Sequence, residues 1–429
     1  MKTAFTYLFL FFFIATKAQT LYFPSAGNTD WDTTAPASLN FCQPKVDSLY
    51  SFLDQQLSKS FILLKDGKIV LEKYFNTFTQ DSLWAWFSAG KSLRSTLIGI
   101  AQQEGHLNIY DKSSDYLDTG WTSMPRAKED SIKIWHQLTM TSGLDESEFF
   151  CTDPQCLTYK ADAGTRWVYH NGPYSLLKDV LENATGQGIN LYTQQRIKNP
   201  TGMSSGLWVP VGYNTFYFSN TRDAARFGLL IQNKGVWNTT TLLTDTAYFN
   251  QMTNSSQALN PSYGYLWWLN GKSSFIPSGS PNSYPGSIAP NAPADMITAA
   301  GAQGQFISTA PSTGYTLVRF GSANDTNLAP LNLIDEIWKR VIDLPCTGTT
   351  LQEDIFKDII LHPNPTTAYF SISGVPENTH LEIYSINGKA LIQKEISKQA
   401  KLHFSFKKGI YIVKLSKGSQ VHTEKLVIQ

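Results

Sequence analysis

Ser88-Ala89-Gly90-Lys91 sets a hydroxyl and an amine three positions apart, the pair of groups that a carbonyl-attacking nucleophile and its proton acceptor require. Trp86-Phe87 lead into this segment, and Leu93, Leu97, Ile100 and Ala101 recur at helical spacing until Gly105 ends the pattern. The spacing predicts an apolar helix with Ser88 and Lys91 one turn apart on one face. Ser-x-x-Lys alone is common in helices, so two further segments matter. Arg166-Trp167-Val168-Tyr169-His170-Asn171-Gly172 offers a phenol, an imidazole and an amide on a turn ahead of an apolar helix. Ala300-Gly301-Ala302-Gln303-Gly304-Gln305 runs into a strand, and its small residues let backbone N–H groups come close to a ligand.

Those segments need a scaffold, and the patterning predicts an α+β one. Phe61–Leu64 and Ile69–Glu72 read as a hairpin about an Asp66-Gly67 turn. The middle of the chain reads as mainly helical with long connections, including a helix around Ala224–Leu230 whose cap region is Ser219–Asp223. Strand signals return at Gln305–Ile307 and Tyr315–Phe320 across a Pro311–Gly314 turn, and Leu331–Ile342 reads as a closing helix. Strands at both ends with helices between predict one mixed sheet built from distant segments and backed by helices. Asp223 and Arg226 are expected to act as a cap and a salt bridge.

The chain has 429 residues, enough for one large body plus an appendage. A formal net charge of +1 gives no reason to expect a polyanionic partner such as nucleic acid. Residues 1–18 combine a basic start, an apolar run and small residues at the cut, which is the pattern of a signal peptide, and no later segment is long and apolar enough to span a membrane. Residues 19–40 read as an irregular lead-in, 41–346 as the catalytic domain, 347–360 as a linker and 361–429 as a small C-terminal β-sandwich of short alternating runs punctuated by Asn387-Gly388 and Lys408-Gly409. Export favours oxidised cysteines: Cys151 and Cys156 have the spacing of a small looped disulfide, leaving Cys42 and Cys346, although four cysteines allow three pairings. Scattered histidines argue against a metal centre, and acyl transfer requires no cofactor.

Ser88–Ser92 together with Tyr169-His170-Asn171 resembles the first two motifs of the serine β-lactamase and penicillin-binding-protein-like superfamily, in particular the class C-like esterases and the 6-aminohexanoate-dimer hydrolase group. Support comes from His136–Leu144, Ser219–Gly228 and Tyr263–Trp268. Where that family carries Lys-Thr-Gly or His-x-Gly, this chain has Ala302-Gln303-Gly304, which weakens the expectation of a carboxylate-bearing antibiotic as substrate. The resemblance implies an antiparallel sheet with a helical region, and a secreted serine hydrolase of esters or small amides. Ser88 is the nucleophile, and Lys91 and Tyr169 share the proton, with Lys91 keeping Tyr169 partly anionic and the formal base left open. Asn171 orients Lys91 and the substrate, and the N–H groups of Ser88 and Gln305 form the oxyanion hole. A β-lactamase or D-alanyl-D-alanine peptidase is the alternative within the class, and a non-catalytic cell-wall or glycan binder the alternative outside it. The C-terminal segment resembles the sorting domains of the type IX secretion pathway in Pro363-Asn364-Pro365, Ile383–Lys389, Gly409-Ile410-Tyr411 and Lys425-Leu426-Val427. That resemblance implies outer-membrane secretion machinery as a partner and a secreted or cell-surface destination.

Overall fold

A computed structural model of the protein describes residues 21–26, 30–323, 327–346, 355–418 and 420–429. The expected signal peptide and the first part of the expected linker lie outside the described residues. The chain divides into two compact units, residues 1–345 and 346–429.

In the first unit, β1 (Ser58–Lys65) and β2 (Lys68–Tyr74) form the expected hairpin, paired down to Lys65 opposite Lys68. Asp66 and Gly67 both have positive φ, 50° and 85°, the backbone that a two-residue hairpin turn needs to match strand twist. Any side chain at position 67 would collide with the Tyr22 carbonyl oxygen, 1.9 Å from the ideal Cβ. The remaining strands of this sheet are β3 (Trp268–Leu269), β4 (Ile297–Gly301), β5 (Gln305–Ala310) and β6 (Tyr315–Gly321). Among the described residues the order is β2-β1-β6-β5-β4-β3, antiparallel throughout. The N-terminal hairpin thus sits beside the last strands, and the helical middle is an insertion between them.

Strand alternation explains how helices cover both faces. Ile307 on β5 meets Gly228 of α4 (Thr221–Gln232), while its neighbour Ser308 accepts a hydrogen bond from Trp338 Nε1 of α5 (Leu331–Ile342) at 3.0 Å. In α5 the buried residues Leu331, Ile334, Ile337, Trp338 and Val341 fall at helical spacing along one stripe; truncating Ile337 to Ala would cost about 2–5 kcal/mol. α1 (Gln43–Gln55) packs beside α5 and β1. The central helix α2 (Gly90–Gln103) is buried from Gly90 to Ala101, polar residues included. α4 starts where the sequence indicates, with Asn220 Oδ1 accepting from Asp223 N at 2.7 Å.

Three features depart from expectation. The lead-in is irregular yet packed: Trp31 is buried and donates to the Gly67 carbonyl at 2.7 Å, and the Pro24 and Ser25 carbonyls accept from Arg226. Arg226 and Asp223 form no ion pair among the described residues. Arg226 donates to backbone carbonyls, Thr201 included, while Asp223 accepts from the Ser204 and Ser205 amides and the Ser205 hydroxyl. A second small sheet of Trp84–Ala85, Leu207–Val211 and Asn214–Ser219 crosses the helical middle, with Gly212-Tyr213 as a hairpin tip. Pro210 hides its first long strand from a propensity reading.

The second unit holds β7 (Ile360–His362), β8 (Tyr369–Ser385), β9 (Ala390–His403), β10 (Gly409–Lys417) and β11 (Gln420–Ile428). β9 runs along one edge of β8. The other edge is shared, β7 pairing with Ser371–Ser373 and β10 with His380–Ser385. Register shifts between Ser373 and Thr379 separate the two arms of β8, and the curled sheet closes over one core of Phe370, Ile372, Leu381, Ile383, Val413, Leu415, Leu426 and Ile428, each pair two residues apart. Cys151 and Cys156 form a disulfide; Cys42 and Cys346 are disulfide-bonded as well, and no described cysteine is free.

Candidate active site

Trp86 fixes the approach to Ser88. Its backbone N–H donates to the Tyr217 carbonyl at 2.8 Å and its indole N–H to Ser219 Oγ at 2.8 Å. Phe87 then takes a left-handed φ of 46°, a conformation that bulky residues adopt only under constraint. The short turn Phe87–Ala89 runs directly into α2. One helical turn on, Lys91 Nζ lies 2.9 Å from Ser88 Oγ and donates to Asn171 Oδ1 at 2.7 Å. The predicted one-face arrangement is therefore present, and a segment eighty positions away meets it.

Asn171 is delivered by the first turn of α3 (Asn171–Ser175), capped by His170, whose Nδ1 accepts from Gly172 N at 3.2 Å. His170 is buried, which lowers its pKa to about 4, so it is a neutral cap. Tyr169 is buried too, stacked on Trp268 with ring centroids 5.9 Å apart and edge-on to Tyr263. Its hydroxyl has no hydrogen-bond partner in good geometry among the described residues, and Ser88 is the neighbour that favours its ionised form. Of the two tryptophans, Trp268 backs the phenol, while Trp267 is wholly buried against Phe227 and belongs to the core.

Burial sets the protonation states. Lys91 is pushed well below its usual range, first by burial and second by the cation of Arg94. Burial pushes the Tyr169 phenol up. Burial thus favours the neutral form of both groups, the opposite direction from the expected partly anionic Tyr169. Arg94, one turn beyond Lys91, was not singled out from sequence, although Lys91-x-x-Arg94 on a buried face was the available signal. Its guanidinium donates to the carbonyls of Tyr174, Ser175 and Thr215 at 3.4, 3.2 and 3.1 Å and lies between the Tyr174 and Trp208 rings. Tyr174 also lies 4.0 Å from Lys91 Nζ, ring to nitrogen.

Gln305 does not stand where the sequence suggested. It lies in an interior strand, paired with Gly301, and its side chain ties β5 to β6 through the Gly321 carbonyl (2.6 Å) and amide (3.0 Å). The segment that reaches the Ser88 turn is one strand over. β3 pairs with Ile297 and Thr298 only, leaving the end of β4 to meet that turn. A Cβ on Gly301 would be 2.4 Å from the Trp86 carbonyl oxygen and 3.0 Å from Ser88 N, so only glycine permits the approach. β4 carries no cation. The nearby Arg319 is buried and commits its guanidinium to the carbonyls of Gln303, Gly304, Gln56 and Ser322 and to Ser58 Oγ.

With that geometry in hand, residues 53–337 match the β-lactamase family profile, more than half of the chain. The chain belongs to the β-lactamase family. Among solved structures, a candidate β-lactamase from Bacteroides dorei DSM 17855 is similar over 71% of this chain and 99% of its own, with a TM-score of 0.57 at 16% identity. A candidate 6-aminohexanoate-dimer hydrolase from Bacillus anthracis is similar over 74% and 87%, with a TM-score of 0.56 at 17% identity. At such identities the likeness concerns the fold. An N-acetylmuramyl-L-alanine amidase from Bacillus subtilis (strain 168) is 28% identical over 148 residues, a match that spans 28% of this chain and only 33% of that protein. Residues 360–429 match the secretion system C-terminal sorting domain. This β-lactamase-family hydrolase fold is thus joined to a signal for type IX export, to the exterior or the cell surface. Among the described residues no helix is long and apolar enough to cross a membrane.

Proposed function

We propose that the protein is a secreted serine hydrolase that cleaves esters or small amides through an acyl-enzyme on Ser88. The observation that carries this reading is the fully buried Lys91 amine bridging Ser88 Oγ and Asn171 Oδ1 at 2.9 and 2.7 Å. A neutral amine has one lone pair and two hydrogens: one hydrogen serves Asn171, and the lone pair accepts the Ser88 proton as Oγ bonds to the carbonyl carbon. The tetrahedral oxyanion is held by the Ser88 N–H and by the N–H that follows Gly301, that of Ala302. As the intermediate collapses, Tyr169 gives its proton to the departing oxygen or nitrogen and regains one from the Lys91 ammonium. Water then attacks the acyl group by the reverse relay, and Ser88 recovers its proton. Asn171 keeps the amine aimed throughout.

The absence of a cation on β4 and the engagement of Arg319 by backbone carbonyls favour neutral substrates over carboxylate-bearing β-lactams or peptides. A short-chain nitrophenyl ester is therefore expected to be turned over faster than a chromogenic cephalosporin. The direct test is labelling with a fluorophosphonate: the native protein is expected to form a covalent adduct and Ser88→Ala none. Undiminished labelling of Ser88→Ala rejects the nucleophile.

A further inference from the structure

The loop between Asp145 and Thr165 is closed by the Cys151–Cys156 disulfide, and its base is held by the ion pairs Asp145–Lys160 and Glu146–Arg166. The loop is seated on Gly172: a Cβ there would lie 2.7 Å from the Cys151 carbonyl oxygen and 2.8 Å from Leu157 Cδ2. The disulfide loop therefore packs on the residue next to Asn171. Immediately before the first cysteine, Phe150 is 62% exposed. Its ring is held all the same, 5.6 Å from Tyr213 and 5.0 Å from Phe149, which itself stacks on His170. Tyr213 comes from a different element, the tip of the hairpin between Val211 and Asn214, and the Asn171 side chain is a neighbour that favours its ionised form. Two elements far apart in sequence thus bring an aromatic pair, Phe150 exposed and Tyr213 half-buried, to the residue that orients Lys91. Keeping a large ring ordered and wet forgoes the stabilisation that its burial would bring, and a ligand that covers it recovers that stabilisation.

We propose that Phe150 and Tyr213, braced by the disulfide loop, form an aromatic clamp selecting substrates whose group beside the scissile carbonyl is flat and apolar, such as an aryl or benzyl group. The inference rests on the Ser88 hydrolase reading and adds its specificity. The bridge restricts Phe150 before binding, so less side-chain freedom is lost when the substrate is gripped.

The test compares p-nitrophenyl phenylacetate with p-nitrophenyl acetate on the full chain. Phe150→Ala is expected to lower kcat/KM for the phenylacetate on the order of tenfold and to leave the acetate within about twofold, with Phe150→Leu between. Cys151→Ser/Cys156→Ser should shift the ratio in the same direction. The acetate rate reports intact folding and chemistry, so an unchanged ratio in Phe150→Ala overturns the clamp. If the native protein hydrolyses neither ester, the hydrolase reading fails, and the clamp is read separately by calorimetric binding of phenylacetamide and acetamide to Ser88→Ala protein. A preference for phenylacetamide that falls roughly tenfold on adding Phe150→Ala upholds it, and equal binding of the two amides overturns it.

Discussion

The β8–β10 face of the C-terminal unit and the Ser88 site of the first unit treat a lysine in opposite ways. In the C-terminal unit Glu382 and Lys414 face each other across β8 and β10 and meet at 2.9 Å, and that cation holds the carboxyl down at about 2. Around Ser88 no carboxylate among the described residues pairs with Lys91. Its amine is stripped of water, set one turn from the like charge of Arg94, and pushed toward neutrality. A lysine answered by a carboxylate is fixed as a cation and can only hold structure, whereas a lysine answered by burial keeps a lone pair and can move a proton. The second unit gathers apolar strand residues into one core, while the helix behind the nucleophile buries Lys91, Ser92, Arg94, Ser95 and Thr96.

Substitutions should separate the units along that line. Ser88→Ala is expected to remove covalent labelling and turnover completely while the thermal unfolding midpoint stays within a few degrees, as measured by circular dichroism. Lys91→Met should lower kcat by roughly a thousandfold, at the scale of a lost proton acceptor acting with the nucleophile. Tyr169→Phe should cost roughly a hundredfold in kcat with no loss of stability, because among the described residues the hydroxyl removed has no hydrogen-bond partner in good geometry. In the other unit, Leu381→Ala is expected to weaken that core by about 2–5 kcal/mol and leave ester hydrolysis unchanged, as read by denaturant unfolding and initial rates. Smallest of all, Lys414→Met should alter neither hydrolysis nor labelling. A rate defect from either C-terminal substitution would break the contrast.

Much of this was legible in the residues. The Asp66-Gly67 hairpin, the α5 stripe and the Ser88–Lys91 turn follow from local spacing, and local spacing survives folding. Tyr169 and Asn171 could be placed because a motif joins them to Ser88 across eighty positions. The segment that meets the Ser88 turn lies a few residues before the expected one, because Gly301 and Gln305 are both strand residues of one short glycine-rich stretch. Only the register, with β3 covering β4 no further than Thr298, opposite Trp268, reveals which edge is open to the Ser88 turn. The Asp223–Arg226 pairing failed for a related reason: helical spacing puts two charges near each other but cannot foresee backbone amides and carbonyls arriving from Ser204, Ser205 and the lead-in. Arg94 escaped notice because a sequence does not state that every side of a helix is buried.

The account depends most on Lys91 being a neutral amine in the free protein, and the pH dependence of Ser88 acylation measures that directly. A lysine held low is mostly protonated in acid and gains its lone pair as pH rises, so the fluorophosphonate labelling rate should climb and then level off well below 10.5, the ordinary lysine value. In Lys91→Met that step should vanish. A rate that goes on rising past 10.5, or a step that survives Lys91→Met, would contradict the central claim.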